Sequence, residues 1–263
     1  MDESLTDPGI EVRTYFARGR NALVARAEFS ELYAGLYLHQ METGVRLEGE
    51  FDQLLRDALA AITLHCASRP RSEACAWTVN FRQPRANVFV AGDNRLGTVV
   101  GTVFTENVRE TDSGVFYGDT VDTYKPLRRS VVEFSGGDFL RAVEAFYRQS
   151  EQRTARLFRY DAEDLVLVSA QPDCDLAWLE GLNDEKIRRL DKEVELGLLE
   201  QRYYRFECGC NQNRILDLLL PMLRKQADDL FKGEETLRVQ CPRCGARHTV
   251  TRESVEAKLA SEA

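Results

Sequence analysis

A chain of 263 residues with 43% apolar and 9% aromatic residues can build one large folded domain and a small second one, which excludes a disordered chain. A net charge of -8 disfavours general attraction to nucleic-acid phosphates or anionic lipid, and apolar runs such as residues 216–223 fall well short of a membrane span. Seven cysteines are an odd number for a disulfide framework, and residues 1–10 carry no export-like apolar core. The chain therefore reads as cytoplasmic, with its paired cysteines committed to metal.

In chain order, alternation around Tyr15 and Phe16 and then through residues 21–29 predicts strand. It gives way at Ser30 to a helical pattern through Leu32, Leu36 and His39. Residues 51–66 place Phe51, Leu54, Leu55, Ala58, Leu59 and Ile62 on one helical face, and Arg69-Pro70 ends that helix. Period-two runs follow at Cys75, Trp77, Val79 and Phe81, then at 87–91, 98–104 and 115–117. Gly92-Asp93 and Ser113-Gly114 punctuate them as turns between antiparallel strands would. A strand is expected at 130–134. Beyond the glycine pair a helix carries Phe139, Leu140, Val143, Phe146 and Tyr147 on one side, and a short buried strand is expected at 165–169.

Composition changes at Gln171-Pro172-Asp173. From 183 to 201 the spacing predicts one amphipathic helix with Ile187, Leu190, Val194 and Leu198 along its apolar stripe. From 201 to the end there are eleven Lys and Arg against nine Asp and Glu, so this part is about +2 and the rest about -10. The fold class expected is α+β: a mixed helix and antiparallel-sheet domain over 1–170, a helical linker over 171–204, a small zinc module over 205–258 and a tail over 259–263.

Four cysteines carry the chemistry. Cys208-x-Cys210 and Cys241-x-x-Cys244 are separated by thirty residues, and each pair can supply two thiolates from a tight turn to complete the tetrahedron that zinc prefers with sulfur. Residues 213–231, with Leu216, Leu219, Leu220 and Leu223 on an apolar side, form a helix able to fold back and bring the turns together. Gly245 suits the open backbone of the second turn. A module of this size lacks a secure core, so the metal should supply much of its folding energy, about 10–16 kcal/mol for structural zinc near neutral pH. Sulfurs on one zinc lie roughly 3.8 Å apart whereas a disulfide needs about 2.05 Å, so a disulfide expels the metal. Three pairings are open: local pairing closes loops too short to keep the module folded, whereas cross-pairing staples it shut. Arg205, Arg214, Arg238, Arg243 and Arg247 flank the ligands and are expected to favour thiolates. Spacing alone also fits an inert zinc ribbon.

The pattern Phe206-Glu207-Cys208-Gly209-Cys210, then Cys241-Pro242-Arg243-Cys244-Gly245, with Tyr147-Arg148-Gln149-Ser150-Glu151-Gln152 upstream, resembles the heat shock protein 33 family of redox-regulated holdase chaperones. Weaker likeness covers residues 21–44 and the linker, so most of the chain is included. The resemblance implies one zinc per reduced chain on Cys208, Cys210, Cys241 and Cys244. It also implies oxidation to Cys208–Cys210 and Cys241–Cys244 disulfides with zinc release, and ATP-independent capture of unfolding client proteins by exposed apolar surface, with a homodimer possible on activation. Under this reading the linker stripe at Ile187, Leu190, Val194 and Leu198 unpacks on oxidation.

The remaining reactive residues read blandly. Cys66 and Cys75 are core thiols, His39 and His65 are isolated, and the 150–152 box is a helix end. His248 lies near the second turn, but four cysteines already complete a shell. Cys174 between Asp173 and Asp175 should have its thiol pKa raised. No phosphate-binding glycine loop, nucleophile elbow or zinc-hydrolase motif supports an enzyme. The competing class is a structural zinc ribbon that binds nucleic acid, favoured by the basic tilt of the last sixty residues and opposed by the acidity of the remainder.

Overall fold

The computed structural model describes residues 9–231 and 233–261. Ten strands form one sheet, in the order β7-β6-β3-β4-β5-β10-β1-β2-β9-β8. Its first half is an antiparallel meander of β3 (Glu73–Phe81), β4 (Ala86–Asp93), β5 (Thr98–Phe104), β6 (Gly114–Asp122) and β7 (Lys125–Phe134). The second half contains β1 (Ile10–Ala17), β2 (Ala22–Glu28), β8 (Ala155–Arg159), β9 (Asp164–Ala170) and β10 (Leu196–Phe206). Strict alternation writes one face of β3 into the core: Cys75, Trp77, Val79 and Phe81 are buried while the residues between them are half-exposed.

Helix α1 (Ser30–Thr43) ends at Gly44, whose positive φ of 67° supplies the left-handed terminus. Helix α2 (Glu50–Ala67) is the centre of the molecule. Glu50 and Asp52 favour its N-terminus, and thirteen of its eighteen residues are buried, which no surface helix shows. It packs on β3, β4 and β5 of one half and on β1, β2 and β9 of the other. Ala58, Ala60 and Ala61 are wholly buried, and their small side chains let both half-sheets approach the helix. Helix α3 (Phe139–Gln149) begins at Asp138, whose carboxylate accepts from the Arg141 amide at 3.1 Å, and it closes the core with Phe139, Val143, Phe146 and Tyr147.

The largest departure from the sequence reading lies at 183–201. In place of one helix the chain forms α4 (Leu176–Glu180), α5 (Asp184–Arg188) and α6 (Leu190–Glu193), turns extended at Val194, and enters β10. Ile187, Leu190 and Val194 are buried together against Val24, Val166 and Val168. Leu198 sits on β10 and is 52% exposed. The helical period is real as far as Val194, because those residues share one surface. Beyond it, pairing with β1 from Ala17↔Leu196 to Ile10↔Tyr204 offers the backbone a long ladder that outweighs local helix preference.

Strand β10 also joins the halves, running parallel to β5 over Arg205↔Thr98 and Phe206↔Val99. The Arg205 amide donates to the Gly97 carbonyl at 3.0 Å and the Glu207 amide to the Val99 carbonyl at 2.9 Å. Gly97 has φ +61°, and a Cβ there would stand 2.6 Å from the Tyr203 carbonyl oxygen. Gly97→Ala should therefore cost about 1–3 kcal/mol and release protection of the Arg205 and Glu207 amides first. Denaturant unfolding and hydrogen exchange check this, and an unchanged midpoint would contradict it.

After β10 come α7 (Gln212–Phe231), the hairpin of β11 (Thr236–Gln240) and β12 (Arg247–Thr251), and α8 (Arg252–Ser261). Ile215, Leu216, Phe231, Val250 and Val255 make the small core of this module. Leu220 is buried and Leu219 partly so, whereas Leu223 falls outside the described side chains. Of the tail expected over 259–263, the last two residues lie outside the described residues. Among the described residues no helix is long and apolar enough to cross a membrane.

Candidate metal centre

Each cysteine pair sits in a turn that a glycine permits. Gly209, between Cys208 and Cys210, has φ +65°, and Gly245, after Cys244, has φ +78°. The second turn is closed by the Cys241 amide donating to Ala246 O at 2.7 Å and the Gly245 amide donating to Cys241 O at 2.9 Å. Asn211 starts α7 immediately after the first turn, its side-chain oxygen accepting from the Arg214 amide at 2.9 Å. Gln212 Nε2 then donates to Thr249 O at 3.2 Å, tying that helix start to the hairpin beyond the second turn.

The four sulfurs lie within 4.8 Å of one another. Cys208 Sγ is 3.7 Å from Cys241 Sγ, and Cys210 Sγ is 3.5 Å from Cys244 Sγ. Those separations suit a tetrahedral ion with metal–sulfur bonds of about 2.3 Å, whose ligands stand roughly 3.8 Å apart. They exceed a disulfide bond, and the cysteines are free thiols. The group could hold a metal ion. Cys208, Cys241 and Cys244 are buried and Cys210 is half-buried.

Proton sharing within the cluster is uneven. Hydrogen bonds from Cys208 and then Cys244 pull the Cys241 thiol far down, whereas the bond that Cys208 makes to Cys241 pushes Cys208 up to about 12. Cys244 is raised as well, first by its hydrogen bond to Cys208.

The centre rests on the sheet. Val100, wholly buried on β5, packs with Ala91, Phe206, Ala246 and the four clustered cysteines. A Cβ on Gly245 would lie 2.9 Å from Thr102 Oγ1 and 3.6 Å from Val45 Cγ1, so the knuckle backbone lies directly against β5. This support was not foreseen from sequence, because it joins residues some 140 positions apart with no pattern of their own.

His248 Nε2 stands 3.4 Å from Cys210 Sγ, at the side of the four-sulfur group. Of the flanking arginines, Arg205 pairs with Glu207 at 2.7 Å, and Arg214 and Arg243 donate to the carbonyls of Gly209 and Cys208, each at 3.4 Å. Their charge acts on the turn backbone. The Cys174 thiol is raised as expected, but burial is the larger cause and Asp175 a smaller one. His39 is half-buried with its ring 5.4 Å from that of Phe206, and burial lowers its pKa. His65 is wholly buried, its Nδ1 2.7 Å from Tyr147 Oη. Within the 150–152 box, Glu151 accepts from Arg69 at 2.8 Å and Arg128 at 2.9 Å.

The sequence model of the Hsp33 protein family matches residues 170–251. A 33 kDa chaperonin of Edwardsiella ictaluri is 25% identical over 154 residues, 49% of this chain and 53% of the relative, so the match spans about half that protein's length. One from Aliivibrio salmonicida is 24% identical over 228 residues, 74% of this chain and 78% of the relative. In fold, the crystal structure of the 33 kDa chaperonin (heat shock protein 33 homolog) of Thermotoga maritima superposes with a TM-score of 0.70 over 96% of this chain and 98% of that one, at 16% identity. Sequence match through the cysteine module, weaker match across the remainder and a shared fold over nearly the whole length agree in making this chain similar to proteins of the Hsp33 family.

Proposed function

We propose that the protein is a redox-regulated, ATP-independent holdase chaperone, closed with one zinc per chain when reduced and opened by oxidation. The observation that carries this reading is the convergence of four buried or half-buried cysteine sulfurs, all within 4.8 Å of one another, in a small module. When bound, zinc supplies the cross-link between the two cysteine turns. Cys208, Cys210, Cys241 and Cys244 would hold it, and their sulfurs are also the oxidisable groups.

Oxidation joins Cys208 to Cys210 and Cys241 to Cys244. Each disulfide gives two electrons to a peroxide molecule, which leaves as two waters, and the four sulfurs no longer form a ligand set. These short rings constrain the chain too little to replace the lost cross-link. The module loosens, and Ile187, Leu190 and Val194 leave their packing to join Leu198, which is already exposed. Apolar surface of this kind binds unfolding proteins without direction or ATP, and a second copy of the chain is a further partner once it is exposed.

Zinc content and suppression of client aggregation, each measured before and after peroxide or hypochlorite, test the reading. One zinc and little suppression are expected before oxidation, and no zinc with strong suppression after it. Equal suppression in both states, or cross-linked Cys208–Cys241 peptides as the main product, would leave an inert zinc ribbon.

A further inference from the structure

Two cysteines outside the metal centre lie together in the core. Cys66 lies in the last turn of α2 and is wholly buried; Cys75 is near the start of β3 and is 2% exposed. Their adjacency follows from the sheet register. Cys75 pairs across β3 and β4 with Gly92, and both residues face the core. A Cβ added to Gly92 would lie only 2.7 Å from Cys66 Sγ. The Cys66 sulfur therefore occupies the side-chain place that Gly92 leaves empty, beside the cross-strand Cys75. Nothing in the switch proposed above uses them.

We propose that Cys66 and Cys75 are a second redox pair, an internal dithiol that a water-sized peroxide converts to a disulfide within the folded sheet domain. Cys75 is the nucleophile. Its neighbours Cys66 and His65 draw its pKa down against the effect of burial, while Cys66 is pushed up. His65 is fixed in place by Tyr147 Oη at its Nδ1 and by the Trp77 ring at 4.9 Å.

In the first step the Cys75 thiolate attacks a peroxide oxygen. A sulfur–oxygen bond forms, the oxygen–oxygen bond breaks, and the departing hydroxide takes up the proton that Cys75 gave up, leaving Cys75 sulfenic acid and water. In the second, Cys66 sulfur attacks Cys75 sulfur. The sulfur–sulfur bond forms, the sulfur–oxygen bond breaks, and hydroxide leaves with the Cys66 proton as a second water. The two sulfurs lose two electrons in all and the peroxide gains them. Both sulfurs lie out of reach of a bulky thiol reagent, and the oxidant is a small peroxide. The product ties the last turn of α2 to β3, beneath the Asn94 amide that donates to Cys66 O and Pro70 O, both at 2.9 Å.

The test is thiol accounting on the full-length wild-type protein. In the reduced native protein, iodoacetamide should leave Cys66 and Cys75 unlabelled, and denaturant should make both reactive. After peroxide and quenching, both should resist alkylation in denaturant until a reductant is added, and a peptide joining them should account for most of the material. In Cys66→Ala, the Cys75 sulfenic acid should persist long enough to be trapped by dimedone once the protein is opened. Because every cysteine is read separately, the result is independent of whether Cys208, Cys210, Cys241 and Cys244 oxidise as proposed. Full alkylation of Cys66 and Cys75 after a treatment that has oxidised the other four overturns the inference, as does Cys75 ending as a sulfonic acid without linkage. If Cys66→Ala does not fold, the wild-type peptide map alone decides.

Discussion

Cys241→Ser should lower metal affinity by more than about a thousandfold, some 4 kcal/mol of the roughly 10–16 kcal/mol that a structural zinc site provides. Cys241 is buried, its sulfur 3.7 Å from that of Cys208 and within 4.8 Å of the other two. A hydroxyl does not ionise in its place. The expected structural effect is as large as the chemical one. A module of roughly fifty residues is too small to hold α7, the β11–β12 hairpin and α8 together securely without the cross-link. Amide exchange at Leu237, Val239 and Val250 should become fast while α2 and β3 stay protected, because the sheet domain buries its own core. A serine variant that retains one equivalent of metal after dialysis against a chelator, with a protected hairpin, would remove Cys241 from the ligand set.

Glu151→Ala should destabilise the sheet domain by about 3 kcal/mol, the lower end of the range for breaking a buried ion pair from one side. The Glu151 side chain is only 5% exposed and serves Arg69 and Arg128 at once. Arg69 is itself 14% exposed, so it cannot turn to water freely; it keeps Glu73 at 2.7 Å, which moderates the loss. Urea unfolding of the isolated variant gives the number. A change below about 1 kcal/mol, the size of a surface pair, would mean that solvent replaces Glu151. Zinc content should not change. The box that marks the resemblance at residues 150–152 is on this view a clamp between the end of α3 and the loop after α2.

The parts that could be read from sequence are those whose pattern has one cause. Residues 73–81 alternate because one face of β3 meets α2 and the other meets solvent, and residues 51–66 carry a helical stripe continued by alanines that the core can absorb. The four cysteines were legible as one group because two closely spaced pairs in tight turns can meet, as their sulfurs do within 4.8 Å. Residues 196–206 were not. Leu198 falls at helical spacing from Val194, yet its segment becomes the longest strand of the molecule because β1 waits for it, some 190 residues earlier in the chain. The valine beneath the metal centre was hidden for the same reason. Val100 belongs to a strand readable from its own alternation, but that its outer face supports Cys208, Cys241 and Cys244 depends on where β10 delivers the chain.

That delivery bears on where the polypeptide can be divided. A fragment stopped near residue 195 would keep α2 and both half-sheets in sequence terms, yet β1 and β5 would each lose the neighbour that lies between them. Two bare strand borders of this kind invite pairing with other chains. The Asn94 amide would lose Tyr204, whose hydroxyl holds it at 2.7 Å, and Cys66 O would lose Arg202, which donates to it at 3.3 Å. A soluble fragment therefore has to run through Phe206, and the cysteine module cannot be transplanted with its own leading strand without opening the sheet it leaves behind.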